Sequence, residues 1–195
     1  FQINQHLSLK GLEHKRIKST LEITLDNRTM AEGEILNKVA NSPLITFNLE
    51  DFMPAGVCDL DIAQFLEGGY VLREKNFRDT LKIFDYSPFQ GKFVRVFCST
   101  DAILPAWAAL LVASKLCDHQ ARSYWASSEE SFYSQYYREY LSQLNWDDFT
   151  GKPVIIKGCG DPRVPQDAYV FATSKMKQVA KKISYGEACS AVPLK

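Results

Sequence analysis

From residue 92 onward the apolar and polar positions follow two clear periods. Residues 92–98, Lys-Phe-Val-Arg-Val-Phe-Cys, alternate as a strand, and residues 101–116 carry a helical period. Within that helix Ala102, Ala106, Ala108, Ala109 and Ala113 are small enough to bring it close to a sheet. A weaker strand follows over 122–126. Ser127 or Ser128 is placed to cap the next helix, where Glu129 and Glu130 suit the positive end and an aromatic-rich stretch runs to about Leu144. Gly151-Lys-Pro marks a turn, residues 154–157 a short buried strand, residues 165–182 a helix entered through Pro165, and residues 183–185 a last strand.

Before residue 92 the pattern is less regular. It predicts a short helix over 34–40, a break at Ser42-Pro43, and a strand in the alternating segment 44–49. Residues 59–66 and 70–84 read as helices. In the second, Val71, Leu72, Phe77, Leu81 and Phe84 can share one apolar face, with Arg73, Glu74, Lys75, Arg78 and Asp79 mostly outside it. The first 29 residues show no period, and Met30 precedes an acidic, helix-like segment. The expected organisation is a disordered extension or upstream translation over 1–29 and a single α/β domain over 30–195.

Alternating strands and helices call for parallel pairing through right-handed crossovers. The predicted fold is therefore three-layer α/β with a mostly parallel sheet and a flavodoxin-like strand order in the C-terminal half. In that order the strand over 122–126 is outermost, so the strands ending near Cys98, Lys157 and Tyr185 become neighbours beside the topological switch point, where open α/β sheets place ligands.

Composition narrows the function. The 195 residues are 46% hydrophobic and 24% charged, enough to build and to solubilise one core. Lysine plus arginine total 23 and aspartate plus glutamate total 23, so no net field argues for nucleic acid, although a local basic patch remains open. The longest apolar stretch, 102–116, is interrupted by Pro105 and Lys115 and is shorter than the ~20 residues a membrane span needs. Without a visible secretory signal, a cytoplasmic protein with no membrane partner is expected. Five cysteines without scaffold spacing then point to buried, metal-bound or reactive thiols.

Three of these thiols share a setting. Cys98 ends one strand, Cys159 lies two residues past another and Cys189 four past the last, each near glycine or a carboxylate. Adjacent strands are ~4.8 Å apart, so three strand ends span roughly 10 Å, and Gly158, Gly160 and Gly186 ease inward bending of the loops. Cys98, Cys159 and Cys189 are therefore candidate ligands for zinc or, less favoured, an iron–sulfur cluster. Asp101, Asp161 or Glu187 would supply a fourth ligand or support the others by hydrogen bonding. If a metal kept an open position it could act as a Lewis acid or activate water, but no reaction or substrate follows.

Two other readings compete: metal-free reactive thiols, or structural cysteines in a non-enzymatic interaction protein whose aromatic helix meets a partner. Partners are thus an unidentified small molecule or protein. Cys58 and Cys117 are assigned to packing, and His119 to an exposed helix end. Phe132, Tyr133, Tyr136, Tyr137 and Tyr140 have the spacing of core residues. Gly158-Cys-Gly160 with Lys157 and Arg163 could face an anion, but no phosphate-loop or dinucleotide fingerprint is present.

Five segments together resemble a known family: Glu34-Ile-Leu-Asn-Lys-Val-Ala-Asn-Ser, Leu72-Arg-Glu-Lys-Asn-Phe-Arg, Cys98-Ser-Thr-Asp-Ala-Ile-Leu-Pro-Ala-Trp-Ala, Lys157-Gly-Cys-Gly-Asp and Tyr185-Gly-Glu-Ala-Cys-Ser-Ala-Val-Pro-Leu. They are similar to domain of unknown function 2480, an uncharacterised bacterial family, from about Met30 to Lys195. The resemblance implies domain boundaries and carries no activity.

Overall fold

The computed structural model describes residues 44–158, 160–187 and 190–195. The expected boundary at Met30 and the expected helix over 34–40 lie outside these residues.

Among the described residues there are seven strands and four α-helices, and the strands form two sheets. In the three-stranded sheet β2 (Val57–Asp61), β3 (Phe93–Phe97) and β4 (Arg122–Trp125) run parallel in that order. In the four-stranded sheet β1 (Ile45–Phe47), β5 (Pro153–Ile156) and β6 (Lys182–Tyr185) are parallel, and β7 (Val192–Pro193) closes the edge antiparallel to β6. Four helices alternate with the later strands: α1 (Glu74–Ile83), α2 (Ala106–Asp118), α3 (Glu129–Ser142) and α4 (Gln166–Val179). The protein is thus α/β and mostly parallel, as its periodicity predicts.

The strand order is a correction. A flavodoxin-like single sheet would pair β3 with β5, whereas β3 pairs with β2 and β4, and β5 pairs with β1 and β6. Both edges of each strand are already taken. The decisive partner is β2, in a segment expected to be helical over 59–66. Its two aspartates make the segment read as exposed, yet both are satisfied by neighbours. Asp59 pairs with Arg95 across β2 and β3, its Oδ1 accepting from Arg95 Nε at 2.8 Å. Asp61 Oδ1 accepts from the amides of Ala63 at 2.9 Å and Ser99 at 3.0 Å, starting a 3-10 turn over Ile62–Phe65.

Each sheet carries its own core. Helices α1 and α2 bury Phe77, Leu81, Val112 and Leu116 against Leu60, Val94 and Val96 of the three-stranded sheet. Helices α3 and α4 bury Phe132, Leu141, Ala172 and Met176 against Val154, Ile156 and Ile183 of the four-stranded sheet. Helix α3 also touches the three-stranded sheet, with Tyr136 edge-on to Phe93 at 5.0 Å and Phe132 edge-on to Tyr124 at 5.4 Å. Its aromatic positions are therefore core residues that tie the two sheets together.

Local chemistry sets the helix starts. Ser128 caps α3 in a reciprocal box with Ser131, satisfying amides that the first turn leaves unpaired. Helix α2 begins only at Ala106, later than the period predicts, because Pro105 occupies its N-cap in an extended conformation. Helix α4 starts likewise after Pro165.

Candidate functional site

All parallel strands of a sheet present their carboxyl ends at one edge, and loops there can gather side chains distant in sequence. At that edge of the three-stranded sheet lie Asp61 and Cys98. Partial burial would raise the Asp61 pKa, but hydrogen bonds from Ser99 and the Ala63 amide outweigh it and hold the carboxyl below its usual value. Cys98 is half-buried against the α1 and α2 core, with Sγ 3.4 Å from Thr100 Oγ1. Thr100 Oγ1 donates to the Gly69 carbonyl at 2.6 Å, which fixes the loop leaving β3. Asp101 is exposed in the same loop.

The matching edge of the four-stranded sheet is denser in chemistry. Strands β5 and β6 are in register to their last residues, Ile156 opposite Tyr185, and the Gly186 amide donates to the Ile156 carbonyl at 3.0 Å. Gly158 is buried against the Tyr185 ring, where a Cβ at residue 158 would collide. The two segments therefore leave the sheet side by side.

A carboxylate from a third strand reaches this edge. Glu50 follows β1 in the 3-10 turn Leu49–Phe52, and its Oε1 accepts the Asp161 amide at 2.7 Å. A Cβ at residue 160 would fall on that carboxylate, so any other residue there would push the Glu50 side chain from its present position. The turn is anchored on both sides of Glu50 by α3. Tyr137 OH donates to the Leu49 carbonyl at 3.0 Å, and Tyr136 OH donates to the Phe52 carbonyl at 2.8 Å. Burial raises both phenol pKa values, so these hydroxyls remain protonated donors.

Asp161 is committed to Arg163. Its Oδ1 accepts from the Arg163 amide and from Nε, both at 2.9 Å, and the second guanidinium nitrogen meets Oδ2. The side-chain bond from Arg163 is the main reason its pKa falls to about 2. The pairing makes Arg163 a loop clamp more than a receptor for an external anion. Glu187 is exposed beyond β6.

Of the sequence-predicted ligands, Cys98, Asp101, Asp161 and Glu187 are described, while Cys159 and Cys189 lie outside the described residues. Cys98 and Asp101 follow β3 in one sheet, whereas Asp161 and Glu187 follow β5 and β6 in the other. The strand neighbourhood that would have joined Cys98 to the other two cysteines is not formed. Among the described residues, no group of three histidine, cysteine or acidic side chains stands close enough to hold a metal ion.

Other assignments resolve simply. Cys58 lies within β2, packed against a core as expected, whereas Cys117, also expected to pack, is instead exposed on the solvent side of α2. His119 ends α2 half-buried and stacks on Tyr86, with ring centroids 5.1 Å apart, instead of standing free. Among the described residues, no helix is long and apolar enough to cross a membrane. Sequence reasoning missed Glu50, because its contact with Asp161 spans 111 positions and leaves only an indirect trace in Gly160.

Alternating helices and mostly parallel strands define an α/β protein, with carboxylates and glycine-containing loops at the carboxyl edges of its sheets. A family model described as a protein of unknown function (DUF2480) matches residues 33–195, and the chain belongs to that family. No curated protein and no solved structure matches it.

Proposed function

We propose that the chain is a zinc-binding protein whose thiolate ligands are Cys159 and Cys189, at the carboxyl edge of the four-stranded sheet. The observation that carries this reading is the register of β5 and β6, which keeps the two loop entrances adjacent through the Gly186 to Ile156 hydrogen bond. Adjacent strands lie ~4.8 Å apart. Two thiolates on one zinc, with Zn–S bonds of ~2.3 Å in a tetrahedral site, lie roughly 3.8 Å apart, the separation that the loops after Ile156 and Tyr185 would have to reach. Adding Cys98 would require bridging from the other sheet, and its thiol already faces Thr100.

Oxygen donors are at hand. Glu50 is oriented by the Asp161 amide and by the anchored turn that bears it, and Glu187 is two residues from Cys189. Asp161, held by Arg163, suits a supporting role better than direct ligation. Two thiolates with one carboxylate would leave a fourth position for water, the arrangement that permits Lewis-acid chemistry or water activation, and a second carboxylate would close it. An iron–sulfur cluster, which draws chiefly on cysteine, fits this mixed donor set less well. Elemental analysis of protein purified without a metal-affinity tag tests the reading: stoichiometric zinc supports it, and its absence from folded protein sinks it.

A further inference from the structure

We propose that a lysine cluster at the amino edge of the four-stranded sheet docks the protein on an anionic phospholipid surface. The cluster lies at the opposite end of the sheet from the zinc site and does not depend on it. Lys152 precedes β5, Lys181 and Lys182 open β6, Lys177 lies in the last turn of α4, and Lys195 follows β7. All five are exposed. Lys152, Lys181 and Lys182 border one shallow depression with Gly151 and Pro153, and the Lys181 amide donates to the Lys152 carbonyl at 3.0 Å. Lys195 Nζ reaches the carbonyls of Lys177 at 2.8 Å and Ala180 at 2.9 Å, completing the group.

The charge is concentrated and unpaired. Residues 151–195 hold eight basic and three acidic side chains in a chain whose totals are 23 and 23. Among the described residues, none of the five lysines joins an ion pair. Lys152 Nζ donates to the Asp148 backbone carbonyl at 2.8 Å, keeping its charge. Asp147 and Asp148, on the adjoining 3-10 turn, reduce the local excess without cancelling it. The dipole of α4 accounts for Lys177 at its C-terminal end, but Lys152, just before β5, and Lys182, at the start of β6, have no such reason to be there.

The surroundings select a lipid surface over a nucleic acid. No arginine offers a forked phosphate contact within the cluster, and none of its members is an aromatic platform for a base. An aliphatic side chain is present instead: Leu194, which follows β7 and whose amide donates to the Ile183 carbonyl at 2.8 Å, is 43% exposed beside Lys195 and the Lys182 end of β6. Lysines beside an exposed aliphatic suit a surface that combines diffuse negative charge with an apolar layer beneath it. Surface docking needs no spanning helix. It departs from the expectation of no membrane partner, which rested on the absence of a spanning apolar stretch and of a secretory signal, and takes up the local basic patch that the balanced net charge left open.

The test is sedimentation of the full chain with vesicles of phosphatidylcholine alone or mixed with phosphatidylglycerol, at low and physiological ionic strength. Expected is partitioning onto the phosphatidylglycerol vesicles only, weakened by salt. Each lysine near an anionic surface contributes roughly a five-fold gain, so K181Q/K182Q should lose on the order of twenty-fold. Leu194→Ser should weaken binding without changing its salt dependence. Wild-type protein that stays in the supernatant at low salt overturns the proposal. So does a K181Q/K182Q variant with native circular dichroism that partitions as well as wild type, or tighter binding to single-stranded RNA than to the vesicles.

Discussion

The carboxylate of Glu50 occupies the space that a side chain at Gly160 would need, and it accepts the amide of the next residue, Asp161, at 2.7 Å. This contact joins the turn after β1 to the loop after β5 at the edge where we place the zinc site.

Gly160→Ala should accordingly displace the Glu50 carboxylate, the free end of a flexible side chain, and cost about 1 kcal/mol, the net worth of the hydrogen bond to the Asp161 amide that is lost. Glu50→Ala removes the obstacle. In a urea-unfolding double-mutant cycle, the E50A/G160A variant should lose less stability than the two single variants added together. Strict additivity would mean that the two positions do not meet.

The hydroxyls of Tyr137 and Tyr136 hold the turn that bears Glu50. Tyr137→Phe should cost about 1 kcal/mol, the net worth of one hydrogen bond, or somewhat more because the buried Leu49 carbonyl loses its partner. Equilibrium urea unfolding measures this. If the proposed zinc site uses Glu50, the Y136F/Y137F variant should also bind zinc more weakly while remaining folded. An unchanged zinc affinity would separate the turn from the site.

Asp61 gives an acid dependence of known sign. Its pKa is depressed in the folded protein, so the folded state binds its proton less readily than the unfolded chain does. The stability it contributes is complete above the ordinary carboxyl value of 3.8 and is lost as pH falls through the depressed value. Asp61→Ala should therefore be less stable at neutral pH and show a flatter acid limb in denaturant midpoints measured against pH. A parallel shift of the whole curve would contradict the assignment.

The second half of the fold is legible in the sequence because its signals are local. Alternation marks β3, Ser128 marks the start of α3, and Pro165 marks the start of α4. Strand β2 is hidden because the partners that hold it are distant in sequence: Arg95 reaches the exposed Asp59 from 36 residues away and the Ser99 amide reaches Asp61 from 38. With β2 hidden, β3 appears to have an edge available for β5, and the sequence then suggests one sheet where two exist. The site inherits that error in part. The adjacency of β5 and β6 is correctly foreseen, the inclusion of β3 is not, and Glu50 carries no local sign of its role.

The most direct measurement is zinc content per chain by mass spectrometry, on native protein purified without a metal-affinity tag and handled anaerobically, with a visible spectrum to detect an iron–sulfur cluster. Serine approximates the size of cysteine but lacks the soft thiolate, so ligands and packing residues should separate. The account predicts stoichiometric zinc in wild type, a large loss in Cys159→Ser and in Cys189→Ser, and near-normal zinc in Cys58→Ser, Cys98→Ser and Cys117→Ser. Well-folded wild-type protein without stoichiometric zinc, or loss of zinc on replacing Cys98 but not Cys159 or Cys189, would contradict it.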